Sequence, residues 1–218
     1  MNRTERREII QSAASRQILA SRRRAVVIVS VAVMAILIIV AVVLASRVPK
    51  AASDAPISAT LAVGQKAPLF AVATTNGPFD LAASAGKPTL LEVFASWCPH
   101  CQREVPVLDR LYAKYKGRVN LVSVAGSPYG IDQTQPESQA DVIAFMTQFK
   151  ATYPIAFDPN LDVARKYLEG GFPTLVLIGA DGNVAAIRDG EVPEGDLTKA
   201  LDAVAGGKKP DPKMGSKR

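Results

Sequence analysis

Residues 61–205 predict an α/β sandwich, because short apolar strands alternate with helical patterns and the series closes on a hairpin and a last helix. Three observations carry this reading. The apolar, β-leaning run 89–95 passes directly into a segment where Val105, Leu108, Leu111, Tyr112 and Tyr115 recur at helical spacing. A second apolar run follows at 119–125. Near the end, two further strand patterns at 174–178 and 184–188 bracket Asp181-Gly182-Asn183, a hairpin turn.

Taken in order, the domain starts near Leu61. Strand patterns at 69–73 and 78–81 flank Asn76-Gly77, a hairpin signal. The helix after Cys98 has Pro99 at its first position, where the missing N–H costs nothing. It stops at Gly117 after Lys114 and Lys116. Pro106 removes one hydrogen bond inside it and should kink it. Residues 126–138, with Pro128, Gly130 and Pro136, form a loop. A helix at 140–150, a short strand at 154–157 and a second helix pattern at 160–168 follow, the last capped by Asp158 or Asn160. A terminal helix spans 194–204, residues 206–218 have the composition of a disordered basic tail, and no internal repeat is present.

Ahead of the domain lie three segments of different character. Residues 1–24 hold seven arginines against two glutamates. Residues 25–45 are uncharged and dominated by Val, Ile, Leu and Ala. As a helix that run is about 31 Å long, enough for the hydrocarbon core of a bilayer. A cleaved signal peptide is the alternative, with Ala45-Ser46 as its cleavage site, but its apolar region should be only about 7–15 residues long. The arginines place the amino side in the cytoplasm and everything after Arg47 outside. Residues 46–60, with Pro49 and Pro56, read as a linker.

The formal charge of +6 belongs to the two ends of the chain. Residues 61–205 carry 12 Lys or Arg against 16 Asp or Glu, so the domain has no electrostatic claim on nucleic acid. Both cysteines, the single histidine and the single tryptophan fall in Trp97-Cys98-Pro99-His100-Cys101. Two thiols two residues apart can close a disulfide, reopen it and exchange it with another protein. Cys98 lies at the positive end of the helix, where a thiolate is stabilised, and is the expected attacking thiol. Cys101, one turn in, is the expected buried resolving thiol. The imidazole of His100 would favour the Cys98 thiolate and make the disulfide more oxidising. A structural disulfide is the plain alternative. Zinc needs further Cys or His ligands, which the sequence lacks. Haem attachment needs a histidine directly after the second cysteine, where Gln102 stands.

Trp97-Cys98-Pro99-His100-Cys101 at a strand-to-helix junction resembles the thioredoxin active site. The longer run to Glu104-Val105-Pro106, the leading segment Val63-Gly64-Gln65-Lys66-Ala67-Pro68 and Gly171-Phe172-Pro173-Thr174 resemble the membrane-tethered TlpA/ResA-like thioredoxins. This resemblance implies a thioredoxin fold preceded by one transmembrane helix, and a protein thiol–disulfide oxidoreductase needing no bound cofactor. Its partners are then protein thiols or disulfides and a redox partner protein. Glu92 takes the place of the buried thioredoxin acid, against the alternative of an edge-strand acid facing solvent. Glu104 becomes a second active-site acid, against an ordinary exposed helix glutamate. Pro173 becomes a cis-proline whose turn leaves the Phe172 backbone free to pair with an extended substrate. Trp97 and Pro99 complete the substrate-facing surface. The Pro-His dipeptide resembles strongly oxidising enzymes and the Glu104 pattern resembles reductases, so direction stays open. A thioredoxin-like binding module without catalysis is the rival reading.

Overall fold

The computed structural model describes residues 61–215. The basic segment, the expected spanning helix and the linker lie outside the described residues. The order of elements is β1 (Ala71–Thr74), β2 (Gly77–Asp80), β3 (Thr89–Phe94), α1 (Pro99–Tyr115), β4 (Asn120–Ala125), α2 (Gln139–Phe149), β5 (Ile155–Phe157), α3 (Ala164–Tyr167), β6 (Thr174–Ile178), β7 (Val184–Asp189) and α4 (Glu194–Ala205). They build one mixed sheet in the order β2-β1-β5-β4-β3-β6-β7. β3, β4 and β5 run parallel, and β6 returns antiparallel beside β3.

β3 lies between β4 and β6, and each of its residues is buried. Its side chains alternate between two cores, as the pleat requires. Leu90 and Phe94 face α1, α2 and α4 together with Leu121, Leu175, Leu177, Val105, Leu108, Phe145 and Leu201. Leu91 and Val93 face the opposite side with Val122, Val124, Val176, Ala164, Tyr167, Phe70 and Leu81. Glu92 falls in the alternation on the α1 side, level with Ser123 of β4 and Leu175 of β6. The active-site helix therefore begins directly over the carboxyl ends of the parallel strands, with Pro99 at its first turn. α1 continues through Pro106 without ending.

Two expectations change. The helical pattern of 160–168 contracts to α3, because Asp158 holds the preceding backbone as a loop. Its Oδ1 accepts from Asp162 N (2.9 Å), and its Oδ2 accepts from Val163 N (2.8 Å) and Ala164 N (3.0 Å). Leu161 turns left-handed inside that loop, at φ 58°.

The tail expected to be disordered is ordered through residue 215. Ile187 N of β7 donates to Pro212 O (3.1 Å), and Arg188 Nη1 donates to Gly215 O (3.1 Å). Asp211 folds the segment by accepting from Lys213 N and Gly215 N. Met214 is 1% exposed and joins the α1-side core. A lysine-rich composition concealed one apolar side chain with a place to go. Met214→Ala should lower unfolding free energy by about 2–3 kcal/mol, measured by urea denaturation. A change within about 0.5 kcal/mol would mark the tail as surface chain.

Candidate active site

The turn between β3 and α1 makes Cys98 the N-cap of α1, with extended backbone (φ −77°, ψ 119°). An extended N-cap aims the helix's free N–H groups at its own side chain. Both thiols are free and buried, Cys98 at 4% and Cys101 at 1% exposure. Cys98 is thus only marginally more open than Cys101. The Cys98 thiol is pulled down from 9.0 to about 6. The hydrogen bond from the Cys101 thiol is the largest cause, burial opposes it, and the Cys101 and His100 backbone N–H groups add to the fall. The charge of the His100 imidazole comes last. Cys101 moves the other way, raised by burial, by giving its hydrogen bond to Cys98 and by the charge of Glu92.

His100 thus acts on Cys98 more through its backbone than through its ring. The ring lies on the surface, with Nδ1 2.5 Å from Glu191 Oε1. The favourable effect expected of the ring is present but is the smallest of those that lower Cys98.

Glu92 is 2% exposed on the central strand, so the edge-strand alternative does not hold. Burial raises its carboxyl from 4.5 to about 8, against a hydrogen bond of 2.5 Å donated by Ser123 Oγ. Glu104 is equally buried, one turn beyond Cys101. Burial and then the charge of Glu92 raise it to about 8, while the Val192 backbone N–H offsets part of the rise. Its Oε1 has no hydrogen-bond partner among the described residues. The Tyr153 hydroxyl, pushed up chiefly by burial, adjoins Ser123, and its ionisation is opposed by Glu92 and Cys101. Two neutral-leaning acids and a buried thiol therefore share one pocket under the helix start, a setting suited to proton transfer near neutral pH.

Opposite the thiols, the Phe172–Pro173 peptide is cis. The Phe172 carbonyl is not free in this state, since it accepts from Cys98 Sγ at 3.4 Å. The Phe172 ring meets the Trp97 ring edge-on, with centroids 6.0 Å apart. Trp97 Nε1 donates to Ser127 Oγ (2.9 Å). Pro99 begins the helix and supplies no competing N–H.

Sequence reasoning missed Glu137 and Glu191. Glu137, buried in the 126–138 loop, accepts from Ser96 N (2.9 Å) through Oε1 and from Ser127 N (3.2 Å) through Oε2. It ties the turn bearing Trp97 to the residue that holds the Trp97 indole. Neither glutamate has a local pattern pointing to the site, because each reaches it from a loop 36 or more residues beyond Cys101. Among the described residues, no group of three His, Cys, Asp or Glu side chains is arranged to hold a metal.

The profile of the Redoxin family matches residues 62–204. The chain belongs to this family. It is 31% identical over 147 residues to the thiol-disulfide oxidoreductase ResA of Geobacillus kaustophilus, covering 66% of this chain and 79% of that one. ResA of Bacillus anthracis is 30% identical over 131 residues, 59% of this chain and 70% of the relative. Among solved structures, a candidate thiol:disulfide interchange protein DsbE from Chlorobium tepidum superposes with a TM-score of 0.59 at 30% identity. That match covers 67% of this chain and 99% of the other. The fold is the thioredoxin-like α/β fold, and within the redoxin family the chain is of the TlpA/ResA-like kind.

The shifts of these groups give stability a definite pH dependence. Between pH 4.5 and about 8 the unfolded chain releases the Glu92 and Glu104 protons while the fold retains them, so stability falls. Between about 6 and 9 the fold releases the Cys98 proton first, so that group raises stability with pH. These three groups together put a local minimum near pH 8, and above about pH 9 the raised Cys101 thiol makes stability fall again. Glu92→Gln removes one falling contribution, so its advantage over the parent should grow from pH 5 to 8. The upper bound is about 4 kcal/mol for one fully buried carboxyl. Urea denaturation at each pH measures this, and a constant difference would mean that Glu92 keeps an ordinary carboxylate pKa.

Proposed function

We propose that this protein is a membrane-tethered, extracytoplasmic thiol–disulfide oxidoreductase that exchanges disulfides with protein substrates through Cys98 and Cys101. The observation that carries the reading is the opposite displacement of the two thiols, Cys98 down to about 6 and Cys101 upward. At neutral pH one sulfur is a ready thiolate and its neighbour stays protonated until needed.

Exchange then runs in two balanced steps. The Cys98 thiolate attacks a substrate disulfide, forming a Cys98–substrate disulfide and releasing one substrate thiolate. That bond removes the charge on Cys98, one of the groups that raise Glu92. Cys101 next loses its proton to the Glu92 or Glu104 carboxylate. Its sulfur attacks Cys98 Sγ, closing the intramolecular disulfide and releasing the second substrate thiolate. The substrate is reduced by two electrons and the enzyme dithiol is oxidised; the reverse sequence oxidises a substrate dithiol. Carboxyls near pKa 8 serve both directions, since at pH 7 roughly a tenth is ionised and the remainder can donate. Phe172 and Pro173 offer backbone to an extended substrate, with Trp97 beside them. Once Cys98 is a thiolate it no longer donates to Phe172 O, and that carbonyl becomes available to the incoming chain.

Tethering rests on the 21 uncharged residues 25–45 behind an arginine-rich segment. Among the described residues, no helix is long and apolar enough to cross a membrane.

Reduction of insulin by the full chain in detergent, with dithiothreitol as electron source, tests the reading. Cys98→Ser should abolish turnover. Cys101→Ser should accumulate mixed disulfides with substrate, visible on non-reducing gels. Turnover surviving in the Cys98→Ser protein would show that the nucleophile is misassigned. For the tether, protease added to intact spheroplasts should digest the domain, while a mature chain beginning near Ser46 would show cleavage instead.

A further inference from the structure

One charged cluster stands outside the thiol and carboxyl chemistry described above. Glu191 follows β7, in the loop that leads to α4. Its single oxygen Oε1 meets His100 Nδ1 at 2.5 Å, Arg103 Nε at 3.0 Å and Arg103 Nη2 at 2.5 Å. Arg103 Nη2 also lies 2.7 Å from His100 Nδ1, so one carboxylate gathers both basic side chains of the first turns of α1. The same loop is fixed to the cis turn, because Gly190 N donates to Pro173 O (2.7 Å). Glu191 is thus built into the rim of the site, with its position set from two sides.

Arg103 is a permanent cation and His100 one when protonated, and the charge of each is felt at or from Cys98. The His100 charge favours the Cys98 thiolate, and the Cys98 charge in turn raises Arg103. The other acids near the thiols are Glu92 of β3 and Glu104 of α1 itself, both buried. Glu191 is held ionised, its carboxyl lowered by the hydrogen bonds from Arg103 and His100. A carboxylate at contact distance from both cations cancels much of their field at any point a few ångströms further away.

We propose that Glu191 is a redox-tuning residue: by binding His100 and Arg103 in one cluster it offsets their charge at Cys98 and keeps the disulfide less oxidising than the Cys-Pro-His-Cys sequence would make it. The inference rests on the exchange reading above and deepens it, naming the group that sets the potential of that pair. Glu191 acts through His100 and Arg103 and is a positioning residue. With its charge removed, the two cations stabilise the Cys98 thiolate. A more stable reduced form makes a more oxidising disulfide. A second path runs through Glu104, which the Glu191 charge raises, so the Cys98 titration is read separately from turnover.

The test uses the full chain in detergent and the variant Glu191→Gln, which keeps size and hydrogen-bonding capacity. Thiolate absorbance against pH should show the Cys98 pKa falling. The equilibrium with glutathione should move about threefold toward the dithiol, equivalent to ~14 mV for a two-electron couple. Arg103→Gln should raise the Cys98 pKa more in the Glu191→Gln protein than in the parent, because the guanidinium stays charged in both. Because His100 and Arg103 are more than half exposed, high salt should shrink these differences. A merely structural Glu191 would lower the melting temperature and leave the titration in place. If the Gln variant does not fold, Glu191→Ala reads the same sign. An unchanged or raised Cys98 pKa, or an equal Arg103→Gln effect in both backgrounds, overturns the proposal. Thiolate titration needs no substrate, so failure to reduce insulin sinks the exchange reading and leaves this proposal to be decided separately.

Discussion

The hydrogen bond that the Cys101 thiol gives to the Cys98 sulfur is the interaction on which the site depends. It is the largest cause lowering the Cys98 sulfur, and it adds to the rise of Cys101, which burial drives most strongly. The fold makes that bond by placing Cys98 at an N-cap with extended backbone and Cys101 one turn inside, under the start of α1. The charge of Glu92 separates the pair further, and Glu92 and Glu104, both buried, resist ionisation. Each acid is held in place by apolar neighbours on the central strand or on α1, so the core that stabilises the domain also sets the chemistry of its catalytic edge.

The site is layered in the order of the chain's folding logic. β3 supplies Glu92 because a polar residue replaces one in an otherwise apolar alternation, and Ser123 on the adjacent strand gives that carboxyl its one strong partner. A lone acid in such a position, without a cation, resides as the neutral form over much of the physiological range. Above this layer, loops do the positioning. Glu137 fixes the turn that carries Trp97, and the Gly190–Pro173 contact fixes the cis turn that faces Cys98.

The sequence made the strands and the thiol pair legible for a physical reason. Local rules govern them: alternation in β3, a glycine turn before β7, a proline at the start of α1. β6 was read at its full length from its apolar residues alone. What remained hidden depends on distant partners. The 160–168 pattern gave only α3, because three backbone N–H groups went to Asp158, a capping role that was visible but whose reach was not. The ordered tail depends on Met214 meeting a pocket in the core, which lysine-rich composition concealed. Glu137 and Glu191 carry no motif at all, since their role arises from where two loops come to rest. His100 shows the converse: the motif suggested its ring, and the fold engaged that ring with Glu191.

The ordered tail has one more consequence. β7 is an outer strand of the sheet, and an outer strand with open N–H and carbonyl groups is a template on which any extended chain can pair. Residues 211–215 occupy part of that margin, taking the Ile187 N–H and the Arg188 guanidinium. At the far side, Pro78 in β2 withholds a donor from the other margin. With both margins blunted, an extended chain finds little open backbone on the sheet with which to pair.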